Sequence, residues 1–438
     1  MKDHRAPHHS QARGGGRTPS SSPLAGSGRA SGRGHGWVGR RFEVVVGPVA
    51  HGGHCVARHE GRVVFVRHAL PGERVVVVVT EDRQPGFCRA DAVEVLDAAP
   101  DRVPAPCPHS GPGRCGGCDW QHVTPAGQRR LAAEVVREQL DRLAGLRDVP
   151  LVRDLEVEEL PGGALRWRSR ARFAVERSGS AGLRRHRSHD VVVLDDCPIT
   201  ASAAADAVLG RRWPGAGAVD VAVDSSGAVT TSRRDRRGQP RPGRGGAALR
   251  SAGGRDWEVG GTGFWQVHPA AADALVSAVA SFAAVRPGDL VLDLYAGAGL
   301  FGGALAPAVG AAGRVVCVEA DAAACAAADV NLAGLPQAEV WQGEVDAVGL
   351  RELLDELDRP PSVVVVDPPR AGAGAAVSRV LAGSGARAVV YVACDPASLA
   401  RDVATFRGEG WELTGLRAYA AFPMTAHVEC VALLSPTP

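Results

Sequence analysis

Two residues near the carboxyl end of the chain, Cys394 and Glu429, could carry out covalent chemistry. The apolar run in "VVYVACDPASLARD" at residues 389–402 predicts a strand that ends at Cys394 and is followed by a helix start. The positive end of a helix lowers the pKa of a nearby thiol, which favours the reactive thiolate. Glu429 lies among apolar residues in "FPMTAHVECVALL" at residues 422–434, where burial would raise its pKa towards that of a general base.

This pair suits the methylation of a carbon that is itself a poor nucleophile, such as C5 of a pyrimidine. Addition of a thiolate at C6 turns the ring into an enolate, whose C5 can attack a methyl donor. A base must then remove the C5 proton so that the thiol can leave. Simpler interpretations remain open, because a lone cysteine is often a packing residue and Glu429 could face water. His427 is a second candidate for the base.

A glycine-rich turn at residues 289–306 indicates where a cofactor could bind. The segment "DLVLDLYAGAGLFGGALA" predicts a buried strand, a sharp turn and a helix start. Gly297 and Gly299 would let the backbone bend and approach a ligand closely. Glu319 ends the next predicted strand, where a carboxylate can hydrogen-bond the diol of a ribose. These features fit any dinucleotide or nucleoside cofactor, and a purely structural turn remains an alternative.

A third segment separates these cofactors. "VVVVDPPRAG" at residues 363–372 places Asp367 and two prolines at the carboxyl end of a strand, where open α/β sheets bind ligands. The prolines stiffen the loop and remove its N–H donors. The glycine turn, the acidic strand end and this segment together resemble a class I S-adenosylmethionine methyltransferase.

Four of the ten cysteines form a candidate metal centre. "CPHSGPGRCGGCDWQHV" contains Cys107, Cys115 and Cys118, and Cys197 follows in "LDDCPI". Four thiolates suit either tetrahedral zinc or a [4Fe-4S] cluster, and unliganded thiols are the third possibility. The wide interval before Cys197 differs from a compact zinc ribbon. The predicted role is structural.

The elements that must position these residues fall into four segments. Residues 1–41 predict a disordered basic tail. Five short valine-rich runs over residues 42–98 predict a small OB-like β-barrel, and "VARHEGRVVFVRHALPGERVVVVVTE" resembles the TRAM domain, an RNA-binding barrel. Residues 99–255 predict a central α+β domain that ends in a basic loop at 232–255. Residues 256–438 alternate strands and helices, which predicts a parallel, doubly wound, Rossmann-like sheet.

The distribution of charge favours a polyanionic partner. The net charge of the 438 residues is only +2, but segments 1–41, 165–187 and 231–255 each contain eight basic residues and one acidic residue. In the second of these segments, Trp167 and Phe173 could stack on bases while arginines contact phosphates. No apolar run is long enough to span a membrane and no signal-peptide core is evident, so a cytoplasmic location with reduced thiols is expected.

Four motifs together resemble the RNA 5-methyluridine methyltransferases, which modify transfer RNA or large-subunit ribosomal RNA. They are "YVACDPASLARD", "DPPRAG", "GFWQVHP" at residues 263–269 and "HVE" at residues 427–429, and the resemblance covers about residues 42–434. It implies that Cys394 is the nucleophile, Glu429 the proton-abstracting base and Arg370 a cation near the enolate oxygen. It also implies that four further residues line the pocket for S-adenosylmethionine and uracil, namely Gln266, Tyr295, Glu319 and Asp367.

The chain departs from the family pattern at several positions. His268 replaces a common Asn, Leu300 a common polar residue, and "DLYAG" the common "DLYCG". Some family members hold a [4Fe-4S] cluster through a C-x5-C-x2-C motif; the first interval here is seven residues, and the cluster is favoured over zinc. Ribosomal RNA is favoured over transfer RNA, and no protein partner is evident. Methylation of another RNA base and a catalytically silent RNA-binding factor are the alternatives, and the presence of both Cys394 and Glu429 argues against the second.

Overall fold

In the computed structural model, which describes residues 36–240, 248–260 and 263–437, the chain begins with a five-stranded sheet. The strands are β1 (Arg41–Val45), β2 (Cys55–His59), β3 (Arg62–Arg67), β4 (Arg74–Glu81) and β5 (Phe87–Asp97), in the spatial order β1-β4-β5-β3-β2. Alternate valines of β4 point into the core. The Gly47 N–H donates to Val56 O over 2.7 Å, so the chain just after β1 meets β2 and curves the sheet towards a barrel.

The segment after the barrel contributes to the carboxyl-terminal part of the molecule. Helix α1 (Pro125–Ala144) begins at Thr124, whose side chain accepts from the Gly127 N–H, and ends at Gly145 with a φ of 65°. It packs against α9 (Pro396–Gly408), a helix more than 250 residues further on in the chain. Helix α2 (Pro150–Arg153) and the two-residue strand β6 (Val157–Glu158) follow. Residues 99–255 are therefore divided between two bodies.

A second five-stranded sheet forms the central body. It contains β7 (Arg170–Val175), β8 (Ala181–Arg184), β9 (Val191–Val193), β10 (Ala218–Val223) and β11 (Val229–Arg234), in the order β11-β10-β7-β8-β9, with helix α3 (Ser202–Val208) packed on it. Phe173 is fully buried and Trp167 is only 4% exposed. The prediction that both rings stack on RNA bases is therefore wrong for Phe173, because strand alternation turns this ring into the core. A hairpin of β12 (Ala248–Ala252) and β13 (Arg255–Val259) follows.

An eight-stranded sheet with helices on both faces forms the carboxyl-terminal body. Its elements are α4 (Ala271–Ala283), β14 (Leu290–Leu294), α5 (Leu300–Val309), β15 (Arg314–Glu319), α6 (Ala322–Leu332), β16 (Ala338–Gln342), α7 (Ala347–Glu356), β17 (Val363–Val366), α8 (Gly374–Ala382), β18 (Ala388–Ala393), α9 (Pro396–Gly408), β19 (Trp411–Tyr419) and β20 (Glu429–Pro436). Strands β14, β17 and β18 are buried along their whole length, as expected for parallel strands covered on both faces. None of the described helices combines the length and the apolar character needed to cross a membrane.

The sheet is mixed, which corrects the prediction of a parallel sheet. Its order is β16-β15-β14-β17-β18-β20-β19-β6, and the first five strands are parallel. Strand β20 runs antiparallel to both β18 and β19, and β6 pairs with β19. The amino end of β20 therefore lies at the same sheet edge as the carboxyl ends of the parallel strands.

The basic tail and the basic loop lie partly outside the described residues, which exclude 1–35 and 241–247. The described part of each is engaged with the protein. The Trp37 N–H donates to Asp82 Oδ2 over 3.0 Å, and Arg41 begins β1. Arg250 is 4% exposed and donates to Val223 O over 2.6 Å, so it is not a surface cation as the charge count implied.

Candidate active site

A cavity of about 540 Å³ opens at the carboxyl ends of β17 and β18. Six of the residues predicted from the sequence line it, namely Gln266, Tyr295, Asp367, Arg370, Cys394 and Glu429. The remaining predicted cofactor residues, Gly297, Gly299 and Glu319, lie in the turn after β14 and at the end of β15. The edge of one sheet thus gathers residues that are up to 163 positions apart in the chain.

The pairing of β18 with β20 brings Cys394 and Glu429 together. Ala393 pairs with Cys430 in the antiparallel register, so Cys394 follows the last residue of one strand and Glu429 is the first residue of its neighbour. Because the two strands run in opposite directions, the end of one and the start of the other meet at the same edge.

The thiol of Cys394 is less acidic than the sequence predicted. Burial, followed by the neighbouring Glu429, raises its pKa to about 11, whereas Arg370 acts in the opposite direction. The expected effect of the helix start is offset because Asp395 is the N-cap of α9 and accepts from the Ser398 N–H over 2.9 Å. The cap places a carboxylate where the helix would otherwise present only its positive end.

Burial governs the carboxyl groups of the cavity as well. Glu429 is 3% exposed, and burial followed by the neighbouring Asp367 raises its pKa well above the ordinary value. Burial and the nearby Asp293 raise the pKa of Asp367 to about 7. The expected basic character of Glu429 is thus accounted for by its surroundings, while His427 is exposed.

A buried carboxylate holds the loop that carries Arg370. Asp402 Oδ2 accepts from Tyr391 Oη over 2.6 Å and from the Ala373 N–H over 2.9 Å. Gly372 in this loop has a φ of 88°, and a Cβ there would lie 2.6 Å from Asp402 Oδ2. The backbone of this loop is therefore fixed against α9. The Arg370 guanidinium itself lies 3.4 Å from His427 Nε2.

The turn after β14 has the form expected of a cofactor site. Gly297 and Gly299 have φ values of 56° and 85°, which favour glycine. Glu319 accepts from the Gly297 N–H over 2.9 Å, and its other oxygen accepts from the Asp321 N–H over 2.9 Å. Tyr295 also has a positive φ, 62°, and its hydroxyl donates to a backbone carbonyl of the loop after β16 over 3.0 Å.

The residues that depart from the family pattern lie behind the cavity. Leu300 is 8% exposed and is part of the hydrophobic core. His268 is 1% exposed and stacks on Trp167, with ring centroids 5.9 Å apart. Burial lowers the pKa of His268 to about 4, so this ring is neutral at pH 7.

Four thiols are neighbours in the central body. The charge of Cys197 would raise the pKa of each of Cys107, Cys115 and Cys118, although burial is the largest cause of the raised values. The Gly116 N–H donates to Arg184 O over 3.0 Å, which ties the cysteine loop to β8. Within the described parts of the chain, no three His, Cys, Asp or Glu side chains are close enough to hold a single metal ion.

Sequence reasoning missed several residues that line the cavity. Arg168 is one of the arginines of segment 165–187, and Phe264 belongs to the motif "GFWQVHP". The sequence indicated no separate role for either residue. Phe264 is 73% exposed, which is unusual for a large apolar ring. Thr425 carried no signal in the sequence, because only the fold places its loop at the cavity.

The fold and this site define a methyltransferase of the S-adenosylmethionine-dependent class, and the comparisons with known proteins identify its family. Residues 37–93 match the family model of the TRAM domain, and residues 350–437 match that of tRNA (Uracil-5-)-methyltransferase. An RNA methyltransferase of Streptomyces coelicolor is 48% identical, with 91% of this chain and 93% of that protein covered. The 23S rRNA (uracil(1939)-C(5))-methyltransferase of Alkalilimnicola ehrlichii is 31% identical, with 90% of this chain and 96% of that protein covered.

A solved structure supports the same fold. The tRNA (uracil-54, C5)-methyltransferase of Pyrococcus abyssi, solved with S-adenosyl-L-homocysteine, has a TM-score of 0.65 and 20% identity, with 90% of this chain and 100% of that chain covered. The chain belongs to the S-adenosylmethionine-dependent RNA uracil-C5 methyltransferases and begins with a TRAM domain. The family resemblance inferred from the four motifs is thereby confirmed.

The guanidinium of Arg370 should control the reactivity of the Cys394 thiol. We expect Arg370→Gln to slow alkylation of Cys394 by iodoacetamide several-fold at pH 8, because removal of the cation disfavours the thiolate. Mass spectrometry of the peptide that contains Cys394 measures the rate. Arg401→Gln, an exposed position on α9, is the matched control and should leave the rate unchanged. Equal rates for Arg370→Gln and the unsubstituted protein would contradict this prediction.

Proposed function

We propose that this enzyme methylates C5 of uracil through a covalent adduct between Cys394 and C6. The observation that carries the proposal is the adjacency of a thiol and a buried carboxyl group, Cys394 and Glu429, across β18 and β20 at the wall of one cavity. The nucleophile is needed to activate C5, and the base is needed to restore the ring afterwards. Turnover therefore requires both groups.

The steps follow from the positions of these groups. Cys394, as the thiolate, forms a bond to C6, and the electrons of the C5–C6 double bond move to the enolate oxygen, which Arg370 stabilises. When bound, S-adenosylmethionine would supply an electrophilic methyl group to C5 and would leave as S-adenosyl-L-homocysteine. Glu429 then removes the C5 proton, the double bond re-forms, and Cys394 leaves as a thiolate. The raised pKa of Glu429 makes it a competent base for this weakly acidic proton.

The turn after β14 is the proposed binding site of S-adenosylmethionine. Gly297 and Gly299 keep the backbone open to a ligand, and Glu319 is oriented by two backbone N–H groups towards the ribose diol. Gln266, Tyr295 and Asp367 complete the wall between this turn and the reactive pair. With its pKa near 7, the Asp367 carboxyl group could either accept or donate a hydrogen bond.

Substitution of the reactive pair separates the two halves of the mechanism. Cys394→Ala should abolish turnover because no adduct can form, and Glu429→Gln should accumulate a covalent protein–RNA adduct because the adduct cannot be resolved. Labelled S-adenosylmethionine and denaturing gels measure both outcomes. Cys88→Ala, in the barrel, is the matched cysteine control and should retain activity, and the variant with both Cys394→Ala and Glu429→Gln should form no adduct. An unchanged rate for Cys394→Ala would reject the mechanism.

Ribosomal RNA is the proposed substrate. The relative that modifies 23S rRNA is 31% identical to this chain, whereas the transfer RNA enzyme of known structure is 20% identical. A basic groove of about 600 Å³ between the barrel and the β8–β9 hairpin suits an RNA backbone; six arginines line it, namely Arg67, Arg83, Arg89, Arg114, Arg185 and Arg187. Some charge is neutralised within the protein, since Arg187 pairs with Glu81 over 2.9 Å.

The choice between the two RNA classes can be tested directly. We expect 5-methyluridine to form in a 23S rRNA transcript and not in unmodified bulk transfer RNA, when each is incubated with the enzyme and labelled S-adenosylmethionine. Nucleoside analysis by mass spectrometry identifies the product. Methylation of transfer RNA alone would reverse the substrate proposal, and the absence of 5-methyluridine in every RNA would reject the activity itself.

The proposed segments for RNA handling and catalysis follow the bodies of the fold, except that residues 125–158 pack with the carboxyl-terminal body. Residues 42–98 form the TRAM module, residues 99–255 contribute the cysteine loop and an arginine-lined surface, and residues 256–438 carry the catalytic edge. We also propose that the tail before the barrel, residues 1–41, adds non-specific attraction for RNA through its eight basic residues.

The cysteine loop is proposed to hold a [4Fe-4S] cluster. Each cysteine of such a cluster binds a different iron atom, so the sulfur atoms stand further apart than they do around one zinc ion. The proposal is supported by the proximity of the thiols, since the charge of Cys197 would act on all three cysteines of the loop. The cluster would join the loop of Cys107, Cys115 and Cys118 to Cys197, which lies between β9 and α3, and would hold them together structurally.

Anaerobically purified protein should be brown and contain about four iron atoms per chain. Cys118→Ser should lose the visible absorbance and unfold at a lower temperature, because one ligand of the cluster is removed. Visible spectra, iron analysis and thermal melts measure these effects. Cys88→Ser, in the barrel, should keep the colour. A colourless protein with one zinc ion would contradict the proposal.

A further inference from the structure

The loop between β1 and β2 touches both chain segments that carry the reactive pair. His51 in this loop lies 2.9 Å, from Nε2 to Oδ2, from Asp395, the residue directly after Cys394. Two residues further on, Gly53 packs against Ala426, three residues before Glu429. A single turn of the barrel therefore contacts the neighbours of both the nucleophile and the base.

This turn is closely fitted to the catalytic body. Gly53 has a φ of 79°, and a Cβ at this position would lie 2.6 Å from Ala426 Cβ. Trp120 Nε1 donates to Gly53 O over 3.3 Å, which holds the turn from a third side. Within the turn, the Ala50 N–H donates to His54 O over 2.6 Å. The loop cannot move away from Ala426 without breaking these contacts.

Asp395 connects the barrel to the end of β18. Its Oδ1 accepts from the Ser398 N–H over 2.9 Å as the cap of α9, and its Oδ2 accepts from His51. These two hydrogen bonds thus hold the Asp395 carboxylate in one orientation, between the end of β18 and the start of α9. Loss of the histidine would leave the carboxylate fixed from one side only.

The charged and titratable groups that face His51 come from three further elements. Asp395 lies at the start of α9, Glu138 and Arg142 lie on α1, and His427 lies in the loop before β20. The hydrogen bond to Asp395 raises the pKa of His51, burial and Arg142 oppose this, and Glu138 supports it. On the other side of the pair, burial opposes ionisation of Asp395, but the bonds from His51 and Ser398 outweigh it and lower its pKa to about 2.

We propose that His51 is a positioning residue through which the TRAM barrel fixes Cys394 relative to Glu429. The proposal rests on the reactive pair assigned above. The barrel would then contribute to the chemical step in addition to holding RNA. Since the side chains of His51 and Asp395 are 40% and 24% exposed, the pair is partly screened by solvent and its effect is of moderate size.

The proposal has a distinct pH signature. The folded pKa of His51 is raised, so the charged pair is fully formed below the unfolded value and is lost as the pH rises through the folded value. The ratio of the single-turnover rate of the unsubstituted enzyme to that of His51→Gln, at saturating RNA, should therefore be about two- to fivefold at pH 6 and fall towards one at pH 9.

The experiment compares the unsubstituted enzyme with four variants across this pH range. His51→Gln and Asp395→Asn should slow the single-turnover rate to similar extents, and the variant with both substitutions should be no slower than either one. His59→Gln is the matched control, because His59 is also a barrel histidine beside a carboxylate, with its Nε2 3.5 Å from Glu60. It should leave the rate and its pH dependence unchanged.

A second measurement does not depend on methylation. Alkylation of Cys394, followed by mass spectrometry, should show the same pH-dependent ratio for His51→Gln, and the imidazole pKa of His51 measured by NMR should fall in Asp395→Asn. If no RNA is methylated but these two effects are present, the positioning role stands while the proposed function fails.

Three results would overturn the proposal. One is a ratio that stays constant between pH 6 and pH 9, and another is additive effects of the two substitutions. The third is a weaker apparent affinity for RNA with an unchanged single-turnover rate, which would limit His51 to RNA binding. If His51→Gln folds poorly, Gly53→Ala provides a second displacement of the same loop, and it should slow alkylation of Cys394 while the barrel remains folded.

Discussion

The antiparallel register of β18 and β20 is the constraint on which the rest of the site depends. A fully parallel sheet would place the start of the last strand at the opposite edge, about one strand length away from Cys394. Reversal of β20 instead puts a buried carboxyl group beside the thiol. The burial that makes Glu429 a stronger base also makes the Cys394 thiol harder to ionise, so Arg370 must offset part of the second effect. Burial at this strand pair thus raises the pKa values of both Cys394 and Glu429.

The arrangement around this pair is distributed over the whole chain. Asp402 accepts from the backbone of the loop that carries Arg370, Glu319 accepts from the turn after β14, and the barrel loop contacts the neighbours of the reactive pair. None of these supports lies next to the reactive residues in the sequence. The elements that line the cavity are therefore stabilised by the parts of them that are buried in the hydrophobic core.

The sequence predicted those parts of the fold whose local pattern and tertiary environment agree. Strands β14, β15 and β18 were predicted because their apolar runs are buried on both faces and bounded by turn residues. The strands β16 and β19 were missed, since they are partly exposed and lack such runs. Motif residues could be placed at one sheet edge, but the raised pKa of Cys394 depends on burial and on the neighbouring Glu429, which no local pattern encodes.

The packing of α1 against α9 has a consequence for synthesis of the protein. These helices are about 250 residues apart in the chain, so the ribosome finishes α1 roughly 10 to 50 seconds before it releases α9. During that interval the apolar stripe of α1 has no permanent partner, and β6 has no strand to join. The nascent chain therefore exposes the apolar side of α1 until α9 has been synthesised, so the last body can complete its fold only late in translation.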